Sequence, residues 1–253
     1  ATNLALIGKQ AGTNFTDSLL VGHATSGTLN AAEANTGVGI GALDALTSGD
    51  KNTAIGNLAM TDANSGSENT AVGALSLFDL TSGSYNTGVG MLTLRYVTNS
   101  QKNTAVGYRS HESGNGSHNT ALGYKSGGGG SMSGSYNTSI GYQAGLTITS
   151  GDANLSIGNQ AEPLSVTGDN QLTIGTYDGS TTTTWIRGDS NGQVKLTSGY
   201  IAEVALTDAA TITWNAATQP VAKVTLGASR TMGLPSNPVS GQFISLLIIQ
   251  DGT

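Results

Sequence analysis

The chain of 253 residues has no cysteine, only 4 prolines and 3 phenylalanines, and just 10% of its residues are charged. Without cysteine there is no disulfide framework and no thiolate metal site. The few charges sum to -6, with a pI near 4.8, so no basic surface exists to neutralise a phosphate backbone, and nucleic-acid binding is not expected. No run approaches the about twenty apolar residues of a membrane-crossing helix. The longest, Phe243 to Ile249, is interrupted by Ser245, so no membrane insertion is expected. The first residues carry no charged, signal-like segment, and the last apolar run stops just short of the end, which reads as truncation at both ends.

What the chain has in abundance is glycine, 37 residues, and a phrase that keeps returning. It reads Asn35-Thr36-Gly37-Val38-Gly39, then Asn52-Thr53-Ala54-Ile55-Gly56, and recurs from Asn69, Asn86, Asn103, Asn119, Asn137 and Asn154. Weaker copies are Leu6-Ile7-Gly8, Leu20-Val21-Gly22 and Leu172-Thr173-Ile174-Gly175. The closing glycines, residues 8, 22, 39, 56, 73, 90, 107, 123, 141, 158 and 175, are spaced by 14, five times 17, then 16, 18, 17 and 17. A period this short, held this long, predicts an all-β fold, a parallel β-solenoid of eleven coils.

Within a coil the phrase predicts one short strand, with Thr53 and Ile55 on one side and Ala54 on the other. Ile55 is read as wall. The small residues Ala54 and Gly56 are read as an outward face suited to a partner chain. Leu43 and Leu46, Leu58 and Met60, Leu75 and Leu77, and Leu92 and Leu94 form the opposite wall, and stretches such as Thr47-Ser48-Gly49-Asp50 form turns. The phrase asparagines, Asn35, Asn52, Asn69, Asn86, Asn103, Asn119, Asn137 and Asn154, should stack as an amide ladder. Beyond Gly175 the period is lost. The organisation expected is a shaft over residues 1–176, a neck over 177–199 and a small antiparallel β module over 200–253.

The Asn-Thr-Ala-Ile/Val-Gly phrase resembles the head repeats of trimeric autotransporter adhesins, whose shorter coils form a left-handed parallel β-roll in a homotrimer. It is also similar to the repeat regions of bacteriophage tail fibres. Trp185-Ile186-Arg187-Gly188-Asp189, the run Leu206 to Trp214, Gly227 to Pro235 and Gln250-Asp251-Gly252 are similar to distal modules of phage fibre proteins. The resemblance implies a structural, adhesive tail fibre of the virion, a trimeric rod that presents a receptor-binding end for host-surface attachment. Its implied partners are two further copies of itself, other tail or baseplate proteins and a host-surface glycan or protein. The alternatives are a bacterial trimeric adhesin and a tailspike-like polysaccharide depolymerase. Adhesins of the first kind continue into a coiled coil, and the chain has no heptads.

No catalytic residue and no cofactor are expected. The carboxylates are scattered over loops, and only Asp50 and Glu68 on successive coils suggest the close pair that glycoside cleavage needs. His23, His111 and His118 are too dispersed for a metal site, although a threefold axis would gather three copies of His118. Tyr108, Tyr124 and Tyr142 follow successive closing glycines and form either a sugar-stacking platform or a packed aromatic ladder. Tyr85 and Tyr136 precede a phrase asparagine, a place read as exposed and carrying Lys51, Glu68, Lys102, His118 and Asp169 elsewhere. These five tyrosines are the candidate glycan contacts. Arg187-Gly188-Asp189 matches an integrin-binding tripeptide but also reads as ordinary turn chemistry. The threonine file of the phrase lacks the paired Thr-x-Thr rank of an ice-binding face, and alternation turns it inward with Ile or Val.

Overall fold

The computed structural model describes residues 8–12, 15–22, 30–128, 130, 132–196, 204–215, 221–237 and 245–250. Among them there is no helix, hence none long and apolar enough to cross a membrane. The chain divides into two units, residues 1–197 and 198–253.

The first unit opens with β1 (Gly8–Gly12), β2 (Phe15–Val21) and β3 (Ala32–Glu33). The phrase strands follow, each three residues long: β4 (Thr36–Val38), β5 (Thr53–Ile55), β6 (Thr70–Val72), β7 (Thr87–Val89), β8 (Thr104–Val106), β9 (Thr120–Leu122), β10 (Thr138–Ile140) and β11 (Leu155–Ile157). The unit ends with β12 (Leu172–Tyr177), β13 (Thr182–Gly188) and β14 (Val194–Leu196). From β2 through β12 the strands pair parallel and in register, Thr on Thr from β4 to β10 and the third residue of each phrase strand, Ile, Val or Leu, on its counterpart. The result is a parallel β-solenoid of about eleven turns with a coil of about 17 residues. At its ends the pairing turns antiparallel, β1 on β2 before the stack, and β13 on β12 and β14 on β13 after it. Gly8 therefore opens an antiparallel strand, while Leu6 and Ile7 lie outside the described residues.

The strand faces are the reverse of the sequence expectation. Ala54 is 0% exposed and Ile55 is 42% exposed, and the same inward-outward order holds along the stack. Space decides it. The return wall sends Leu43, Met60, Leu77 and Leu94 into the interior, with Leu46, Leu80 and Val97 beside them, all fully buried. What remains opposite them holds a methyl group or less. A Cβ on Gly37 would lie 2.4 Å from Leu20 Cδ2, and one on Gly88 would lie 2.7 Å from Ser76 Oγ. Leu58, Leu75 and Leu92 flank that wall half-buried and do not join the buried core. The threonine file faces outward with Ile and Val, which corrects its inward placement too.

The bends use backbone that L side chains rarely adopt. Gly56 has φ 141°, and a Cβ there would lie 2.5 Å from the Gly73 carbonyl oxygen, so coils at this corner stack backbone on backbone. Leu58 and Met60 then sit at φ 56° and 51°, and Lys51, ahead of the phrase, at 57°. Stacking holds these left-handed residues, since Leu58 donates its N–H to the Ile40 carbonyl and Met60 donates to the Ser76 carbonyl.

The second unit contains β15 (Val204–Ala205), β16 (Thr211–Ile212), β17 (Val221–Leu226), β18 (Thr231–Met232) and β19 (Ser245–Gln250). Every pairing described there is parallel, β15-β17-β19 in one sheet and β16-β18 in another. The antiparallel module expected from short alternating runs is thereby corrected. The chain alternates between two sheets and returns in the same direction each time, because each return spans the dozen or more residues that a parallel crossover requires.

Candidate functional site

The phrase asparagines are all buried and carry one continuous hydrogen-bonded ladder. Asn52 Oδ1 accepts the main-chain N–H of Asn69 at 3.0 Å, and Asn52 Nδ2 donates to the Gly66 carbonyl at 2.8 Å. Asn35, Asn69, Asn86, Asn103, Asn119 and Asn137 repeat the forward contact at 2.8–3.0 Å. The ladder starts at Ser18 Oγ, which accepts from Asn35 N–H, and ends at Gln171, whose N–H donates to Asn154 Oδ1. Gln171 then turns its own Nε2 to the Ser165 and Gly168 carbonyls. Both ends escaped the sequence reading because their residue types differ.

A second ladder, interrupted at Gln101, lies two residues before the phrase asparagines and runs the opposite way, its side chains accepting from the preceding coil. Asp50 Oδ1 accepts from Glu33 N–H, Ser67 Oγ from Asp50 N–H, and Ser84 Oγ from Ser67 N–H. Ser117, Ser135, Asp152 and Asp169 continue it. Asp169 therefore belongs to this file and not to the position directly before the phrase, where Asn170 stands. These bonds also occupy the suggested carboxylate pair. Asp50 caps the Glu33 amide, and Glu68 lies 3.9 Å from Lys51 Nζ in an exposed ion pair.

The five candidate tyrosines fall into two separate files. Tyr108, Tyr124 and Tyr142 stack face to face, with centroids 5.4 Å and then 5.0 Å apart and planes within 19° and 6°. Lys125 Nζ lies 5.5 Å from the Tyr124 ring centre. Tyr85 and Tyr136 occupy the left-handed position before the phrase, at φ 62° and 61°, and are 52% and 61% exposed. His118 shares that file and stacks on Tyr136 at 4.7 Å. Among the described residues no three His, Cys, Asp or Glu side chains converge as a metal site.

One buried group went unread as such. His111 takes the wall position that Met60 and Leu77 hold in earlier coils, is 1% exposed, and neither ring nitrogen has a hydrogen-bond partner among the described residues. Burial lowers its pKa to about 4, partly opposed by the Gly127 main chain. Its place in the wall file was readable, but a histidine in an apolar file carries no signal of its own. Gly127 lies beside the ring, where an added Cβ would come 3.7 Å from His111 Nδ1.

The integrin-like tripeptide is not at a turn tip. Arg187 and Gly188 lie inside β13, and Asp189 Oδ1 accepts from Asn191 and Gln193 N–H, closing the turn that follows.

Fold and ladders together define a parallel β-solenoid repeat protein. Comparison with protein families, with characterised proteins and with solved structures finds no match to the chain.

Proposed function

We propose that this chain is the non-enzymatic shaft of a homotrimeric tail fibre of a phage or phage-like particle, which attaches the particle to a host surface. The observation that carries the reading is the outward apolar file Val38, Ile55, Val72, Val89, Val106, Leu122, Ile140 and Ile157, five of which, Val38, Ile55, Val89, Leu122 and Ile140, are 36–47% exposed. Repeated at the strand spacing of about 4.8 Å, it makes an apolar stripe along the shaft. The threonine file flanks the stripe on one side, two residues before it along each strand. Three such narrow files close around a threefold axis, each covering the other two, whereas a pair would need a broader flat face. The partner-facing surface is thus the Val and Ile file, in place of the Ala and Gly file.

Each contact a rod makes with a cell is then presented three times, and multivalency multiplies weak affinities. The Tyr85, Tyr136 and His118 file and the Tyr108 to Tyr142 stack are the candidate contacts with a surface glycan. Particles from the source that encodes the chain provide the test, using antibody raised against it and electron microscopy. Label on the fibres of tailed particles is expected. Label on a bacterial envelope would support the adhesin alternative instead, and label on neither would reject both.

A further inference from the structure

We propose that the groove between Tyr142 and Tyr177 is a saccharide site that takes one neutral pyranose unit; its biological meaning rests on the attachment role above. The stacked tyrosines consume most of their own faces, because rings 5.0–5.4 Å apart leave no room for a sugar between them. Only the two end rings keep an open face. Beyond Tyr142 the next residue in its file is the much smaller Asn159, and the following coil supplies Tyr177. Tyr142 follows β10 by two residues and Tyr177 closes β12, two coil steps of about 4.8 Å each further on, enough for one ring between two aromatic side chains.

The groove here has a volume of about 530 Å³ and is lined by Tyr142, Asn159, Gln160, Tyr177, Asp178 and Gly179. That lies within the ~300–1,000 Å³ typical of small-ligand sites. Its polar groups are held in place. Tyr177 N–H donates to the Asn159 carbonyl at 2.9 Å, and Asn159 Nδ2 donates back to the Tyr177 carbonyl. Gln160 Nε2 donates to Gln143 Oε1 at 2.8 Å, which leaves Gln160 Oε1 as an acceptor. Asp178 Oδ1 accepts from Ser180 and Thr181 N–H at 2.9 and 2.7 Å, keeping its carboxylate ionised and leaving Oδ2 for a ligand. Aromatic faces for the C–H side of a sugar, with amide and carboxylate acceptors for its hydroxyls, are the chemistry of pyranose recognition. Asp178 and the net charge of -6 disfavour acidic sugars and nucleotides, which would otherwise stack equally well.

The test titrates the intact chain with the methyl glycosides of glucose, galactose, mannose, N-acetylglucosamine and N-acetylgalactosamine, read by saturation-transfer NMR and tyrosine fluorescence. At least one should bind, and Tyr142→Ala and Asp178→Asn should each weaken it by about ten-fold, while Tyr96→Ala, at an exposed tyrosine of the shaft outside the groove and both tyrosine files, leaves it unchanged. Asparagine at 178 can still cap the turn through Oδ1, so that variant keeps the fold if Tyr142→Ala does not. Binding of none of the five, or binding indifferent to both groove variants, would overturn the site. Mass measured on the same samples separates the two readings. A trimer that binds no glycoside rejects the groove alone, and a monomer that binds one rejects the trimeric rod alone.

Discussion

Both units of this chain are parallel β structures whose strands return in the same direction, yet only the first is periodic in sequence. In the shaft, phrase strands pair at offsets of 16 to 18 residues, mostly 17. In the second unit Val204 pairs with Ala222, Thr211 with Thr231 and Val221 with Ser245, offsets of 18, 20 and 24. The difference lies in what crosses between coils. A shaft asparagine must find the next coil's N–H and a loop carbonyl at fixed places, so a change of coil length has to be absorbed in a loop, as in the 18-residue step from Asn119 to Asn137, where the ladder bond stays at 2.8 Å. The second unit has cross-links of another kind, such as Arg230 to Asp208, whose paired charges hold Asp208 below the usual carboxylate range. A long flexible side chain tolerates variable coil length. Sequence periodicity is therefore the imprint of a buried short-side-chain ladder more than of the solenoid itself.

Breaking the ladder should have the largest effect. Asn86→Ala strands the Asn103 N–H and the Ser100 carbonyl in the interior, and should cost the shaft about 4 kcal/mol in denaturant unfolding. Arg230→Ala, an exposed pair in the second unit, should leave the shaft transition unmoved. Next is His111. Its folded pKa, about 4, lies below its ordinary value of 6.5, so the unfolded chain binds the extra proton. The shaft should keep full stability above pH 6.5 and lose about 3 kcal/mol as pH falls from there to 4. His111→Leu, matching Leu77 and Leu94 in the same file, should flatten that part of a melting-versus-pH curve. Overpacking comes third. Ala54→Leu should destabilise by about 2 kcal/mol, whereas outward Ile55→Ala should cost an isolated chain under about 1 kcal/mol and act instead on self-association. Ser67→Ala, which removes the acceptor of the Asp50 N–H in the second ladder, should cost about 1 kcal/mol.

The same contrast governs how much could be read beforehand. The coil length and the ladder asparagines were legible because one residue type at one place satisfies them. The second ladder was not, since Ser and Asp accept an N–H equally well and alternate along it. Alternation along Thr53-Ala54-Ile55 shows that neighbours point opposite ways, but not which way is in. Hydrophobicity favoured Ile55 inside, and the leucines of the return wall had already filled that space. Parallel pairing in the second unit left no mark because its offsets drift. Of the candidate contacts, the Tyr108 to Tyr142 file was visible in the spacing, whereas Tyr177 stands one place later in its coil and joins them only in three dimensions.

The outward Val and Ile stripe of the shaft, and the threefold assembly proposed from it, are tested most directly by the mass of the intact chain in dilute solution, by sedimentation or light scattering. The account predicts a single species at three times the 25.4 kDa chain mass, dissociated by Ile55→Asp together with Val89→Asp. A stable, folded species at 25.4 kDa would contradict it.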